Sequence, residues 1–273
     1  MKKLRSIRIV LALAFFLGIT ALFADPTRTV FDWLGWMADL QFWPSCLALS
    51  LVALLVIVIT LVLGRVYCSI ICPLGIMQDF AIRIRGLFAR GGFAVGVNGP
   101  NRRQNVIRAL IAAAFFSGGF LGLHFAWLDP YAIYGRLASV SVAPLGRFVN
   151  NQVAVWSERH GYYLAIMMEN VLPPMAFIVF AVSLAALVFA LAAWKGRFWC
   201  NVICPVGAVL GLLAKFAWLR PRIDGNSCIG CKKCERRCKG RCIDVAEKNI
   251  DASRCVACYD CSAVCPKGAI KWK

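Results

Sequence analysis

Eight cysteines near the C-terminus are spaced for metal clusters. Cys255, Cys258, Cys261 and Cys265, followed by Pro266, read CxxCxxCxxxCP, and Cys228, Cys231, Cys234 and Cys238 repeat the spacing 27 residues earlier. In such a run three thiolates wrap one iron–sulfur cubane and the fourth reaches across to the other cluster. The expected ligand sets are therefore Cys228, Cys231, Cys234 and Cys265 for one [4Fe–4S] cluster, and Cys255, Cys258, Cys261 and Cys238 for a second. A zinc site takes four ligands and would leave half of these thiols idle. Two positions depart from the pattern. Lys239 stands where proline is usual, and Cys242 is an extra thiol opposite Ala269, expected to be a small packed residue.

Four more cysteines form a second constellation. GRVYCSIICPLG, Gly64 to Gly75, recurs as GRFWCNVICPVG, Gly196 to Gly207, with seven of twelve positions identical. Cys68 with Cys72, and Cys200 with Cys204, stand at i and i+4, so in helical backbone both thiols of a pair face one side. Such a site could hold an iron–sulfur centre or a soft metal, or cycle between thiol and disulfide. The plainer alternative is a pair of buried small residues beside a proline turn.

The elements that position these thiols are membrane helices. Sixty per cent hydrophobic residues, a mean hydropathy of +0.70 and only 16% charged residues exceed what a soluble core needs. Apolar runs at about residues 7 to 23, 44 to 63, 106 to 128 and 173 to 194 approach the length that crosses hydrocarbon. The first is expected to be a retained anchor, because Ala21-Leu22-Phe23-Ala24 lacks the small residue a signal-peptide cleavage site wants. Each copy of the cysteine motif follows an inward span, and each hairpin breaks at an Asp-Pro, Asp25-Pro26 and Asp129-Pro130. The expected architecture is a membrane all-α domain over residues 1–221, four transmembrane helices as two repeated hairpins about a pseudo-twofold axis. It is followed by an α+β two-cluster ferredoxin domain over residues 222–273. The segment 83–105 reads as a basic connector, and the outer segment from Asp129 to Pro174 as a loop with short interfacial helices.

Charge orients the chain. The two outer loops carry four basic against six acidic residues, and the remainder holds 27 basic against seven acidic, recovering the net +18. Basic loops resist translocation, so both termini and the ferredoxin domain are expected in the cytoplasm of a bacterial inner-membrane, multi-pass protein. Thirteen of the fourteen cysteines then lie where thiols stay reduced. The positive charge is divided among inner loops and a tail facing anionic lipid, which argues against nucleic acid as partner. The tail alone, with twelve basic and six acidic residues, should attract acidic partners.

The remaining candidates carry less. His124, inside the third apolar run, is either a quinone contact or a hydrogen-bonded structural residue. Cys46 reads as a buried apolar residue. No P-loop, dinucleotide fingerprint or HExxH occurs, so nucleotide and zinc-protease chemistry have no support.

With both CxxxCP motifs, four apolar runs and the double CxxC tail, the chain resembles the NapH family, the membrane quinol dehydrogenase component of periplasmic nitrate reductase systems. Its relatives supply electrons for nitrous-oxide reduction and methylamine utilisation, or act as membrane ferredoxins of cytochrome oxidase assembly. The resemblance implies electron transfer between a quinone pool or cytoplasmic donor and a periplasmic redox partner, such as a reductase or cytochrome. A cytoplasmic ferredoxin or flavodoxin is the matching soluble partner. Copper or other soft-metal reduction and delivery through Cys68, Cys72, Cys200 and Cys204 is the alternative from another functional class.

Overall fold

The computed structural model describes residues 2–88, 102–120, 128–162, 165–169 and 171–273. The first half runs α1 (Lys2–Ala24), the short helices α2 (Thr29–Leu34), α3 (Trp36–Asp39) and α4 (Phe42–Leu47), then α5 (Leu51–Leu63), α6 (Tyr67–Ile70) and α7 (Pro73–Phe88). The second half runs α8 (Arg102–Phe120), α9 (Pro130–Arg159), α10 (Met175–Lys195), a π-helical turn (Trp199–Ile203) and α11 (Pro205–Ala214).

Among the described residues two helices, α1 and α10, are long and apolar enough to cross a membrane. The run expected at 44 to 63 is divided, because Leu49 takes a left-handed φ of 48° and separates α4 from α5. At 1.5 Å per residue α5 is about 20 Å long, short of a 30 Å hydrocarbon core. The third run begins within α8, while its outer end, with His124, lies outside the described residues. The basic connector's glycines, Gly91 to Gly99, also lie outside them.

The outer segment differs from expectation. Instead of short helices it holds α9, 30 residues in one piece. Pro130 at its first turn pre-sets the helical φ, and the Asp129 carboxylate accepts from Ala132 N at 2.8 Å, capping the start. The helix packs along α1, where Tyr134 Oη and Thr20 Oγ1 share a 2.6 Å hydrogen bond.

The longer repeat is visible in the backbone. Gly64 and Gly196 end α5 and α10 with φ of 76° and 69°, a region that side chains other than glycine enter at a cost. Beyond each motif the helix crosses to the other half: α7 packs on α10, and α11 packs on α5. The two halves therefore interlock at their cysteine motifs.

The tail folds as two small antiparallel ladders and two short helices. Strand β1 (Pro221–Ile223) pairs with β4 (Ile270–Trp272), and β2 (Ile243–Asp244) with β3 (Asn249–Ile250). Helices α12 (Lys233–Arg237) and α13 (Asp260–Val264) stand 27 residues apart, as do the left-handed pairs Gly230 and Ala257, Lys232 and Tyr259, Arg241 and Gly268. Left-handed residues in such loops turn successive N–H groups inward and form concavities that suit anions. Ile243, Val245, Ile250 and Ile270 complete the small core around the cysteines.

Candidate metal centre

Two cavities flank the ferredoxin core. One is lined by Cys228, Cys231, Cys234 and Cys265 with Ile223, Ile229, Val245 and Pro266. The other is lined by Cys238, Cys255, Cys258 and Cys261 with Ile243, Ile250, Val256 and Trp272. In both, three thiols come from one run and the fourth from the other, with apolar walls behind them. Cys242 also lines the second cavity, its Sγ 3.5 Å from Cys238 Sγ. That contact, together with the Cys242, Gly240 and Arg241 N–H groups, brings the Cys238 thiol down to about 7 despite burial. Sulfur donors, apolar walls and inward N–H groups suit an anionic four-thiolate cluster. When bound, such a cluster supplies one-electron redox chemistry.

The two CxxxCP motifs meet beside this module. Cys68, Cys72, Cys200 and Cys204 are each buried and lie close enough that ionising one would disfavour ionising the others: Cys72 interacts with Cys200 and Cys68, and Cys204 with Cys200, Cys72 and Cys68. Burial first, then this mutual repulsion, pushes Cys72 and Cys204 far up. Cys200 rises by burial to about 11, tempered by Arg197 and Arg65. Gly207 N donates to Cys204 Sγ at 3.3 Å, and Gly75 N serves Cys72 in the same way.

Two arginines build this arrangement by crossing between the repeats. Arg65 Nη2 donates to Cys200 O at 2.9 Å, and Arg197 Nη1 donates to Cys68 O at 2.6 Å; both side chains are fully buried. The motif glycines leave room for them. A Cβ on Gly75 would press on Cys68 O and the Arg197 guanidinium, and one on Gly207 on Cys200 O and the Arg65 guanidinium. The arginine, the first-cysteine carbonyl and the last glycine of GRxxCxxxCPxG thus build the contact between the copies.

Several donors here lack acceptors: Arg65 Nε, Gln78 Nε2 and Trp199 Nε1 are buried without hydrogen bonds, while Gln78 Oε1 accepts from Cys200 Sγ at 3.5 Å. These unpaired donors lie beside the four buried thiols. Among the described residues, however, no three Cys, His, Asp or Glu side chains converge as a cage for a single metal ion.

The ferredoxin module docks on the motifs through the loops around its second cavity. Arg65 and Arg108 both donate to Ser253 O at 3.1 Å, Asn201 Nδ2 to Gly240 O at 3.1 Å, and Arg197 N to Lys239 O at 2.9 Å. Asp79, six residues after Pro73, pairs with Arg197 (2.8 Å), Lys239 (3.0 Å) and Arg8 (3.2 Å). Lys239 also reaches Asp260 at 3.0 Å, which Arg5 holds at 2.7 Å. Sequence reasoning quoted Arg65 and Arg197 inside the repeat and Lys239 as a departure, yet assigned a role to none of them. Identity of both arginines in the two copies was the available signal.

Known proteins agree with the cysteine pattern. A 4Fe–4S binding domain family matches residues 47–91 and 175–224, the stretches that carry the two CxxxCP motifs, and a second 4Fe–4S binding domain family matches residues 248–271. The uncharacterized protein MJ0749 of Methanocaldococcus jannaschii is 26% identical over 83% of this chain and 71% of its own length. The putative electron transport protein YccM of Escherichia coli is 26% identical over 72% of the chain, and the methylamine utilization ferredoxin-type protein MauN of Methylobacillus flagellatus 25% over 64%. The chain carries 4Fe–4S binding domains and is similar to ferredoxin-type electron-transport proteins, a pattern consistent with a NapH-like family. It spans about half the length of YccM and of MauN, 48% in each. No solved structure matches it. An iron–sulfur electron-transfer role follows from these relatives and domains together.

Proposed function

We propose that this protein is a NapH-type, membrane-bound electron-transfer subunit that holds two [4Fe–4S] clusters and connects a quinone pool or cytoplasmic donor with a periplasmic redox partner. The observation that carries the reading is the pair of four-cysteine cavities, each drawing three thiols from one run and one from the other. Cys228, Cys231, Cys234 and Cys265 would hold the first cluster, and Cys255, Cys258, Cys261 and Cys238 the second.

The chain's own residues supply position and charge. Arg65 and Arg197 hold the CxxxCP thiols together, and Asp79, Lys239 and Ser253 fix the module against them. Cys68, Cys72, Cys200 and Cys204 then form a buried thiol site beside the second cavity. Leu51, Leu54, Leu55 and Val58 on α5 and Leu187 and Trp194 on α10 are exposed, an apolar surface that suits lipid. The orientation with both termini cytoplasmic rests on the distribution of Lys and Arg.

At the free end of the module Ile229 and Cys231 are exposed beside Lys232, Lys233 and Lys267. That basic rim suits an acidic soluble ferredoxin or flavodoxin. Iron analysis with redox-titrated EPR on the purified chain tests the reading. About eight irons and two one-electron signals are expected, and a chain saturating near four would refute it.

A further inference from the structure

We propose that Lys239 is a positioning residue for the second cluster, fastening its loop to the paired membrane motifs and favouring that cluster's reduced form. This rests on the two-cluster reading above. In the 27-residue register Lys239 corresponds to Pro266, which is exposed beside the first cavity, whereas Lys239 is only 5% exposed. A buried ammonium needs compensation, and here it comes from two directions at once. Asp79 belongs to the helix that follows Cys72, and Asp260 lies between Cys258 and Cys261; both are 3.0 Å from Lys239 Nζ. The side chain therefore bridges one CxxxCP repeat and the loop of the second cluster.

The charge does not cancel. Among the described residues, Arg5, Arg8, Arg197 and Lys239 pair with the two carboxylates Asp79 and Asp260, a local excess of +2. Buried charges are little screened, while the lysines around the first cavity, Lys232, Lys233 and Lys267, are exposed to solvent and salt. Lys239 is also the strongest favourable charge on the Cys258 thiol. A cluster held by four thiolates becomes more negative on reduction, so fixed positive charge beside it favours the reduced form. The same charge pair supplies opposite tests, since removing Lys239 and removing Asp260 alter the local field with opposite signs.

The experiment uses the full iron-loaded chain in lipid nanodiscs and redox-titrated EPR of both clusters. Lys239→Met should shift the reduction equilibrium of one cluster about tenfold toward the oxidised form, a fall of about 59 mV for one electron, and leave the other in place. Asp260→Asn should move the same cluster upward, and Lys239→Arg should keep the native value. Lys239→Pro, which restores the usual ferredoxin residue, should retain eight irons and reproduce the Met variant. The inference is overturned if Lys239→Met and Lys239→Pro leave both potentials unchanged, or if Asp260→Asn shifts the cluster in the same direction as they do. An iron content near four in the native chain would instead refute the two-cluster reading.

Discussion

Replacing Asp79 by Asn should loosen the junction between the membrane motifs and the ferredoxin module more than any other isosteric change. Its carboxylate meets Arg197 at 2.8 Å, Lys239 at 3.0 Å and Arg8 at 3.2 Å. At about 3 Å and an effective dielectric near 20, each pair is worth roughly 5 kcal/mol before desolvation is charged against it. Removing one partner of a buried network leaves the others uncompensated and costs about 3–5 kcal/mol. At 1.4 kcal/mol per tenfold, the unfolding equilibrium should shift by roughly two to three and a half orders of magnitude. Chemical unfolding of native and Asp79→Asn chains in the same detergent, followed by tryptophan fluorescence, measures this. The pH dependence supplies a second readout. Burial pushes the Asp79 carboxyl up, but Arg197, Lys239 and Arg8 outweigh it and hold it well below the usual carboxylate range. A depressed carboxylate stabilises above its unfolded value near 3.9, and that contribution is lost as pH falls through the folded value. The gap between the two chains should therefore be full at pH 6 to 8 and narrow progressively below about pH 4. Equal stability at pH 7 within about 0.5 kcal/mol, or a gap that persists undiminished into strong acid, would refute the reasoning.

Four further outcomes follow from the same geometry. Gly75→Ala and Gly207→Ala, which force a Cβ onto the opposing carbonyl and guanidinium, should each cost about 1–3 kcal/mol in the same unfolding assay. Cys265→Ser and Cys238→Ser should each remove a different EPR signal, whereas Cys242→Ala keeps eight irons because its sulfur is a neighbour of the ligand set; loss of one signal in both serine variants, the same one, would contradict cross-ligation. A reporter fused at Lys273 should read as cytoplasmic and one inserted near Asn150 as periplasmic, and the reverse would undo the orientation. Cys-to-Ser changes at Cys68, Cys72, Cys200 and Cys204 should abolish electron delivery while leaving eight irons in the tail, and full activity in all four would reduce the motifs to packing.

The ferredoxin part was legible because its constraints are local. Two cysteine runs in fixed register, with apolar residues just outside them, leave little freedom in where short strands and helices can go. The strands Pro221–Ile223 and Ile270–Trp272 pair directly outside the two runs. The paired motifs were legible through repetition, but what holds them together was not. Arg65 reaches a carbonyl 135 residues away and Lys239 a carboxylate 160 residues away, and no periodicity encodes such partners. Helix α9 was missed for a different reason. Pro144 interrupts the helical reading from within, yet the helix continues through it because α1 and α7 pack against its flank.

The docking pattern also explains how so small a module keeps a defined orientation. A ferredoxin of about fifty residues has too little apolar core to rely on packing alone, and cluster ligation ordinarily supplies the rest. Here the loops around its second cavity are also held from outside. Carbonyls at Lys239, Gly240 and Ser253, all within two residues of Cys238 or Cys255, are each captured by Arg197, Asn201, Arg65 or Arg108 from the membrane half. The side of the first cavity is left open, with Ile229 and Cys231 exposed at its tip. One end of the module is therefore fixed to the buried thiol site and the other is exposed. The fixed end depends on residues from both repeats, since Arg65 and Arg197 each contact the opposite motif and the module. Assembly of the thiol site and docking of the ferredoxin are thus coupled by the same two side chains, and a defect in either arginine should appear in both.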